Sequence, residues 1–135
     1  MSVKSTEDIS FKASDRPAEV YKVSWRLMEK DRQVLGDAVP DKDNSDKKDL
    51  VPSGLLSCLL DQAMTRLVTH YHGPCLTGET TVRYLAPALV DETFSVMGRI
   101  VDDSKRLITA QAEISKADGT PVARAESRIL MLKKD

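Results

Sequence analysis

Cysteine is scarce in this chain: Cys58 and Cys75 are the only two among 135 residues. Two are too few for a disulfide framework, and their separation is not a metal-ligand spacing. Two free thiols, no metal and a reducing, cytoplasmic compartment are the expectation. Neither sign of charge is in excess, since 20 basic residues oppose 21 acidic ones for a net charge of −1. A phosphate-binding surface needs concentrated positive charge. The adjacent basic pairs are only Lys47-Lys48, Lys105-Arg106 and Lys133-Lys134, so no nucleic-acid partner is expected. Long apolar runs are missing as well. Nothing approaches the ~20 residues that span a bilayer, and the N-terminal region carries no apolar core of a signal peptide. A membrane partner is therefore not expected either.

What is present is a balanced composition, 41% apolar and 30% charged, at a length that suits one domain over 1–135. Residues 1–18 are polar and mixed, and are expected as a short helix around 6–13 or as loosely ordered chain. Tyr21, Val23, Trp25 and Leu27 alternate with polar partners, which reads as a strand over 20–27. A second short strand fits 33–39. The run DKDNSDKKD at 41–49 has seven charges in nine residues and reads as a solvated loop. Four more strands are expected at 76–86, 93–101, 107–116 and 122–132. In the third of these, Ile108, Ala110, Ala112 and Ile114 alternate with Thr109, Gln111, Glu113 and Ser115. Asp118-Gly119 marks a hairpin, and short turns imply a four-strand antiparallel meander.

Between the two groups of strands the period changes. Apolar residues at 55, 56, 59, 60, 63, 64, 67 and 68 predict a helix over 55–72. Ser53 reads as its N-cap, with Pro52 just outside, and Gly73-Pro74 as its stop. Only Asp61 and Arg66 are charged between 53 and 69; the other off-stripe residues are Ser57, Cys58, Gln62, Thr65 and Thr69. A surface helix would carry lysines and glutamates there, so this one is expected to be enclosed on more than one side. The whole is an α+β arrangement: an antiparallel sheet of five to six strands wrapped around one long central helix.

The runs GLLSCLLDQAM (54–64), TTVRYLAPAL (80–89), GRIVDDSKRL (98–107) and EISKADGTPVARAESRIL (113–130) follow one another at a familiar spacing. Together they resemble the thioesterase superfamily with the hotdog fold. More narrowly, 51–132 is similar to the phenylacetyl-CoA and 4-hydroxybenzoyl-CoA thioesterase branch. The resemblance implies a hotdog domain that hydrolyses an acyl-CoA of small or medium, including aromatic, acyl group. It implies no separate cofactor, coenzyme A being part of the substrate, and a homodimer or tetramer as the working unit. In the family the helix opens with His-Gly-Gly, and the acidic residue seven positions after the second glycine is catalytic. Gly54 matches that glycine and Asp61 the acid, whereas Pro52 and Ser53 replace the histidine and the first glycine. The family polarises the thioester carbonyl with the N–H at the first-glycine position, and Ser53 still has one. Thr77 falls where the family places a hydroxyl that positions water or the carboxylate. Asn44 and Asp46 fall where some relatives carry polar residues of the active-site loop.

The chemistry fits these residue types. Unpaired amides at a helix start suit a developing oxyanion, and a carboxylate attacks directly or activates a water. Gly54 and Asp61 lie two turns apart, about 10 Å along one helix, too far to serve one carbonyl. Two chains side by side remove that difficulty. On position alone Asp61 reads first as a structural carboxylate, and the spacing match to the family is what turns the reading to catalysis; Thr77 reads first as an exposed strand threonine. Gln62, Lys105 and Arg106 are further candidates for contact with substrate, the two cations through the coenzyme A phosphates, as are Lys47 and Lys48, although each of the four cations reads first as a solvated surface charge. His70 and His72 are expected to face the carbonyls at the helix end, and Trp25 and Tyr84 to be core or interface aromatics. The competing function is a non-catalytic acyl-CoA or acyl-chain binding protein.

Overall fold

The computed structural model describes residues 3–10, 21–40, 50–103 and 106–132, the first segment by its backbone alone. Strand alternation and a single helical stretch give β1 (Val3–Ser10), β2 (Tyr21–Met28), β3 (Gln33–Pro40), α1 (Ser53–His72), β4 (Cys75–Tyr84), β5 (Phe94–Asp102), β6 (Leu107–Lys116) and β7 (Pro121–Met131). All strands join one sheet in the order β1-β2-β3-β5-β6-β7-β4, and every pairing is antiparallel. The sheet wraps α1, which packs chiefly on β5, β6 and β7. This is the hotdog arrangement, as expected.

Period decides what each element buries. The apolar stripe of α1, Leu55, Leu56, Leu59, Leu60, Ala63, Met64, Leu67 and Val68, is buried. Opposite it lie the inward residues of the sheet, among them Phe94, Val96, Ile108, Ile114 and Ile129. Where the helix comes closest the sheet offers small side chains. Gly98, Ala112 and Ala125 sit side by side on β5, β6 and β7, and a Cβ on Gly98 would lie 3.0 Å from the Ala63 carbonyl oxygen. A second anchor fixes the helix start. Leu50 bridges Leu89, and the Val51 amide donates to the Ala88 carbonyl at 2.7 Å.

Three local expectations change. Val3–Ser10 is neither a short helix nor loosely ordered but a seventh strand, paired with β2 at the sheet edge. The last four strands are not one meander. β5, β6 and β7 are, but β4 pairs with β7, because the long connection 85–93, with Pro87 in it, carries the chain across the sheet instead of turning it back. Ser53 is the first residue of α1 rather than its cap. Pro52 is the N-cap, extended at φ −62 and ψ 143, without a side-chain bond. Its carbonyl accepts the Leu55 and Leu56 amides at 3.0 and 3.3 Å. Gly73 closes the helix at φ 84, its amide donating to the Thr69 carbonyl.

Candidate active site

The side of α1 that the sheet leaves uncovered carries Gly54, Cys58, Asp61, Gln62, Thr65 and Thr69, none of them buried. Asp61 is the one charge among them, and it is held. The Thr77 hydroxyl of β4 donates to its Oδ1 at 3.3 Å. The Thr65 hydroxyl, one turn on, donates to its main-chain carbonyl at 2.9 Å. The Cys58 thiol lies one turn before Asp61, and its pKa is raised by burial first and by the Asp61 carboxylate second.

A bulge in β4 makes the Thr77 contact possible. The register with β7 shifts between Thr77 and Glu79, leaving Gly78 as the extra residue. Alternation alone would put Thr77, Glu79, Thr81 and Arg83 on one face. With the bulge, Thr77 faces α1 and so do the even-numbered residues after it. The Thr80 hydroxyl meets buried Ser127 Oγ at 2.7 Å. Tyr84, though half exposed, returns its hydroxyl to the first turn of α1, 2.5 Å from Ser57 Oγ and 3.4 Å from the Ser53 carbonyl. Both ends of one edge strand therefore grip the helix, one at the acid and one at the helix start.

Ser53 and Gly54 are exposed. Among the described residues nothing accepts their amides, and a Cβ on Gly54 would meet nothing within 4 Å. Within one chain they do not meet Asp61, because eight helical residues from Ser53 to Asp61 span about 12 Å. The structure thus brings Asp61 and Thr77 together and leaves Ser53 and Gly54 at a separate place. Gln62 is half-buried, and its Oε1 is shielded from solvent without a hydrogen-bond partner among the described residues. Arg106 is exposed, and its carbonyl accepts the Met131 amide at 3.0 Å. Asn44, Asp46 and Lys105, with Lys47 and Lys48, lie outside the described residues.

Two side-chain groups differ from expectation. His70 and His72 do not turn to the helix carbonyls but to neighbouring turns: His70 to Glu29 at 3.6 Å, His72 to Asp103 at 3.1 Å. Arg32 also reaches Asp103, and its hydrogen bond is the main reason that the Asp103 carboxyl is held below its usual range. The Ser57–Tyr84 pair was not foreseen; Gly78 inside a strand is the one sequence signal that points to a change of face.

Grooves border the domain among the described residues, and two of them bear on where the site lies. One of about 370 Å³ runs beside the second half of α1, lined by Trp25, Leu27, Val34, Thr65, Arg66 and Thr69 among others. Trp25 is 3% exposed and lies across Gly36, with the Arg66 guanidinium over its ring at 5.4 Å. The larger, about 690 Å³, lies on the outer face of the sheet among Arg83, Arg99, Glu113, Arg124 and Glu126. The larger is remote from Asp61, with the sheet between them, and its charges are partly tied to one another: Arg124 to Glu113, and Arg99 through Gln111 to Glu126. Neither Asp61 nor Thr77 lines the smaller groove; its one link to the acid is Thr65, whose hydroxyl bonds the Asp61 main-chain carbonyl. No helix among the described residues is long and apolar enough to cross a membrane.

Comparison with known proteins agrees with this fold. No curated protein matches the chain. Among solved structures, a hypothetical thioesterase from Streptococcus pneumoniae with coenzyme A superposes with a TM-score of 0.68 at 17% identity, covering 77% of this chain and 81% of that one. A Streptococcus mutans protein bound to acetyl-CoA gives 0.67 at 17%, over 97% and 91%. Zebrafish thioesterase superfamily member 2 gives 0.70 at 15%, over 89% and 87%. Two further structures of the pneumococcal protein carry an Asp→Ala and a Thr→Ala substitution, the threonine sixteen positions after the aspartate. The thioesterase superfamily model matches residues 53–123, which is more than half of the chain and takes in α1, β4 and the site between them. The chain belongs to the thioesterase superfamily.

Proposed function

We propose that the protein is an acyl-CoA thioesterase for small or medium acyl groups, aromatic ones included, of the phenylacetyl-CoA and 4-hydroxybenzoyl-CoA kind. The observation that carries this reading is the Asp61 carboxylate, held by Thr77 on the uncovered side of α1. The threonine follows the acid by sixteen positions here, the separation of the two residues substituted in the pneumococcal protein. The ligands of the streptococcal neighbours, coenzyme A and acetyl-CoA, support the same substrate class.

The site is completed by a second copy. β4 is an edge strand, with one side of its backbone unpaired, and beside it lies the side of α1 whose one charge is Asp61. Two β4 strands paired antiparallel about a two-fold axis set the Thr77–Asp61 end of one chain beside the Tyr84–Ser53 end of the other. The thioester carbonyl oxygen then points at the Ser53 and Gly54 amides of one chain. Asp61 of the other attacks the carbonyl carbon or takes a proton from the water that does. Collapse of the tetrahedral intermediate breaks the C–S bond, and the thiolate leaves with a proton from solvent or from Asp61. In the direct route, water then hydrolyses the acyl–aspartate anhydride. The amides stabilise the oxyanion without reorganising, which is where most of the rate gain arises.

The test is thiol release from a panel of acyl-CoAs by the native protein and by Asp61→Asn. Turnover by the native protein, with a loss in kcat of about a hundred- to ten-thousand-fold and little change in KM for the variant, is the expected result. Acyl-CoA binding with no turnover of any member by the native protein contradicts the enzyme and supports the acyl-binding alternative, which Pro52 in place of the family's histidine favours.

A further inference from the structure

Tyr84 ends an edge strand and is 50% exposed. A tyrosine so placed can give its hydroxyl to water, yet here the hydroxyl turns inward to α1. Ser57 Oγ lies 2.5 Å away and the Ser53 carbonyl oxygen 3.4 Å. Donors and acceptors fit one chain: Ser57 Oγ–H donates to the Tyr84 oxygen, and Tyr84 O–H donates to the Ser53 carbonyl. Among the described residues no other side chain bonds the backbone of the first turn of α1, since its N-cap, Pro52, offers no side-chain bond.

The atom that Tyr84 reaches matters. The Ser53 carbonyl and the Gly54 N–H belong to one planar peptide unit and point in opposite directions. Whatever fixes the carbonyl fixes the amide. A hydrogen bond accepted by the carbonyl also polarises the unit and makes its N–H the better donor. The space beyond is open, since a Cβ on Gly54 would touch nothing within 4 Å.

We infer that the Ser57–Tyr84 hydroxyl pair is a positioning device that aims and strengthens the Gly54 amide as an oxyanion donor. Neither residue touches the reacting carbonyl; both act through the Ser53–Gly54 peptide. The Gly78 bulge is what makes the device available, because it brings Tyr84 to the helix face along with Thr77. One edge strand thereby sets both halves of the chemistry, the acid at Thr77 and the donor at Tyr84. This inference rests on the thioesterase reading.

The test is steady-state hydrolysis of an acyl-CoA by the native protein, Tyr84→Phe, Ser57→Ala, Ser57→Thr and the Tyr84→Phe/Ser57→Ala double variant, with thermal unfolding of each. Tyr84→Phe keeps the ring and loses the bond. Its kcat should fall about three- to tenfold, the worth of one hydrogen bond, with KM within about twofold. The double variant should be no slower than Tyr84→Phe, since both changes break the same chain, and Ser57→Thr should lose less than Ser57→Ala. Native kcat in Tyr84→Phe with only a lower unfolding temperature, or additive losses in the double variant, overturns the inference. An inactive native protein overturns the thioesterase reading and this inference with it, and is recognised because the native chain, not the variant, fails.

Discussion

Replacing Gly98 by alanine adds one methyl group where the structure has no room for it. The new Cβ would lie 3.0 Å from the Ala63 carbonyl oxygen and 3.1 Å from Val34 Cγ1, up to about 0.4 Å short of the 3.4 Å at which ordinary contact begins. Neither neighbour yields cheaply: Ala63 offers backbone in the middle of α1, and Val34 is buried in β3. Overpacking of this kind costs about 1–3 kcal/mol. For a chain of this length each kcal/mol lowers the unfolding midpoint by about 3–5 °C, so a fall of roughly 3–15 °C is expected. The same methyl should damage the site. Ala63 follows Asp61 by two residues, and the Thr77–Asp61 bond is already long at 3.3 Å. Lifting the helix by a few tenths of an ångström therefore loosens the carboxylate, and kcat should drop about as far as it does on removal of the Thr77 hydroxyl. Circular dichroism melts at matched protein concentration, with thioester kinetics on the same samples, provide both readings. A Gly98→Ala melting point within about 1 °C of native would refute the close docking of α1 on β5.

Thr77→Ala should lower kcat about tenfold and leave KM nearly unchanged, well short of the loss in Asp61→Asn, because one positioning hydrogen bond is removed and not the acid; equal losses in the two variants would contradict that division of roles. Asp103 bears on acid stability, since Arg32 and then His72 hold its carboxyl below the usual range. A depressed carboxyl pKa gives stability that is complete above the unfolded-state value and is lost as pH falls through the folded one. Urea unfolding of Asp103→Asn should therefore show less loss of stability on acidification than the native protein, and superimposable acid limbs would refute the contact. Light scattering at micromolar concentration should give the mass of a dimer or tetramer, and a monomer there would remove the basis of the shared site.

Much of this was legible in the sequence because helix and strand have different periods. The stripe at 55, 56, 59, 60, 63, 64, 67 and 68 is the buried face of α1, and the alternation over 107–116 is β6, residue for residue. Asp61 and Thr77 were readable as a pair only through the family resemblance, for nothing local brings positions sixteen apart together. What escaped was set by long-range contact. β1 is a polar segment whose strand form depends on the edge that β2 offers it. The place of β4 beside β7 depends on where a nine-residue connection leads. Ser53 has the side chain of a cap, whereas the extended Pro52 carbonyl already receives the first amides, which puts the cap one residue earlier. The Tyr84 contact needed the bulge at Gly78, since without it the residue's parity would turn it away from the helix.

The division of one site between two chains is tested most directly by mixing variants. Asp61→Asn removes the acid. Ser53→Pro removes one amide at the first position of the helix, where proline is tolerated and where Pro52 already has the extended conformation that a following proline requires. Each homodimer should be nearly inactive, the second losing about a hundred- to thousandfold if the Ser53 amide is an oxyanion donor. After the two are mixed in equal amounts and subunits exchange, half of the dimers are mixed, and each has one site with both native parts. Hydrolysis should recover to about one quarter of the native rate, as the two-fold symmetry of the dimer dictates. If the mixture stays at the level of the separate variants after exchange is complete, acid and amides serve the same chain, and the composite site is contradicted.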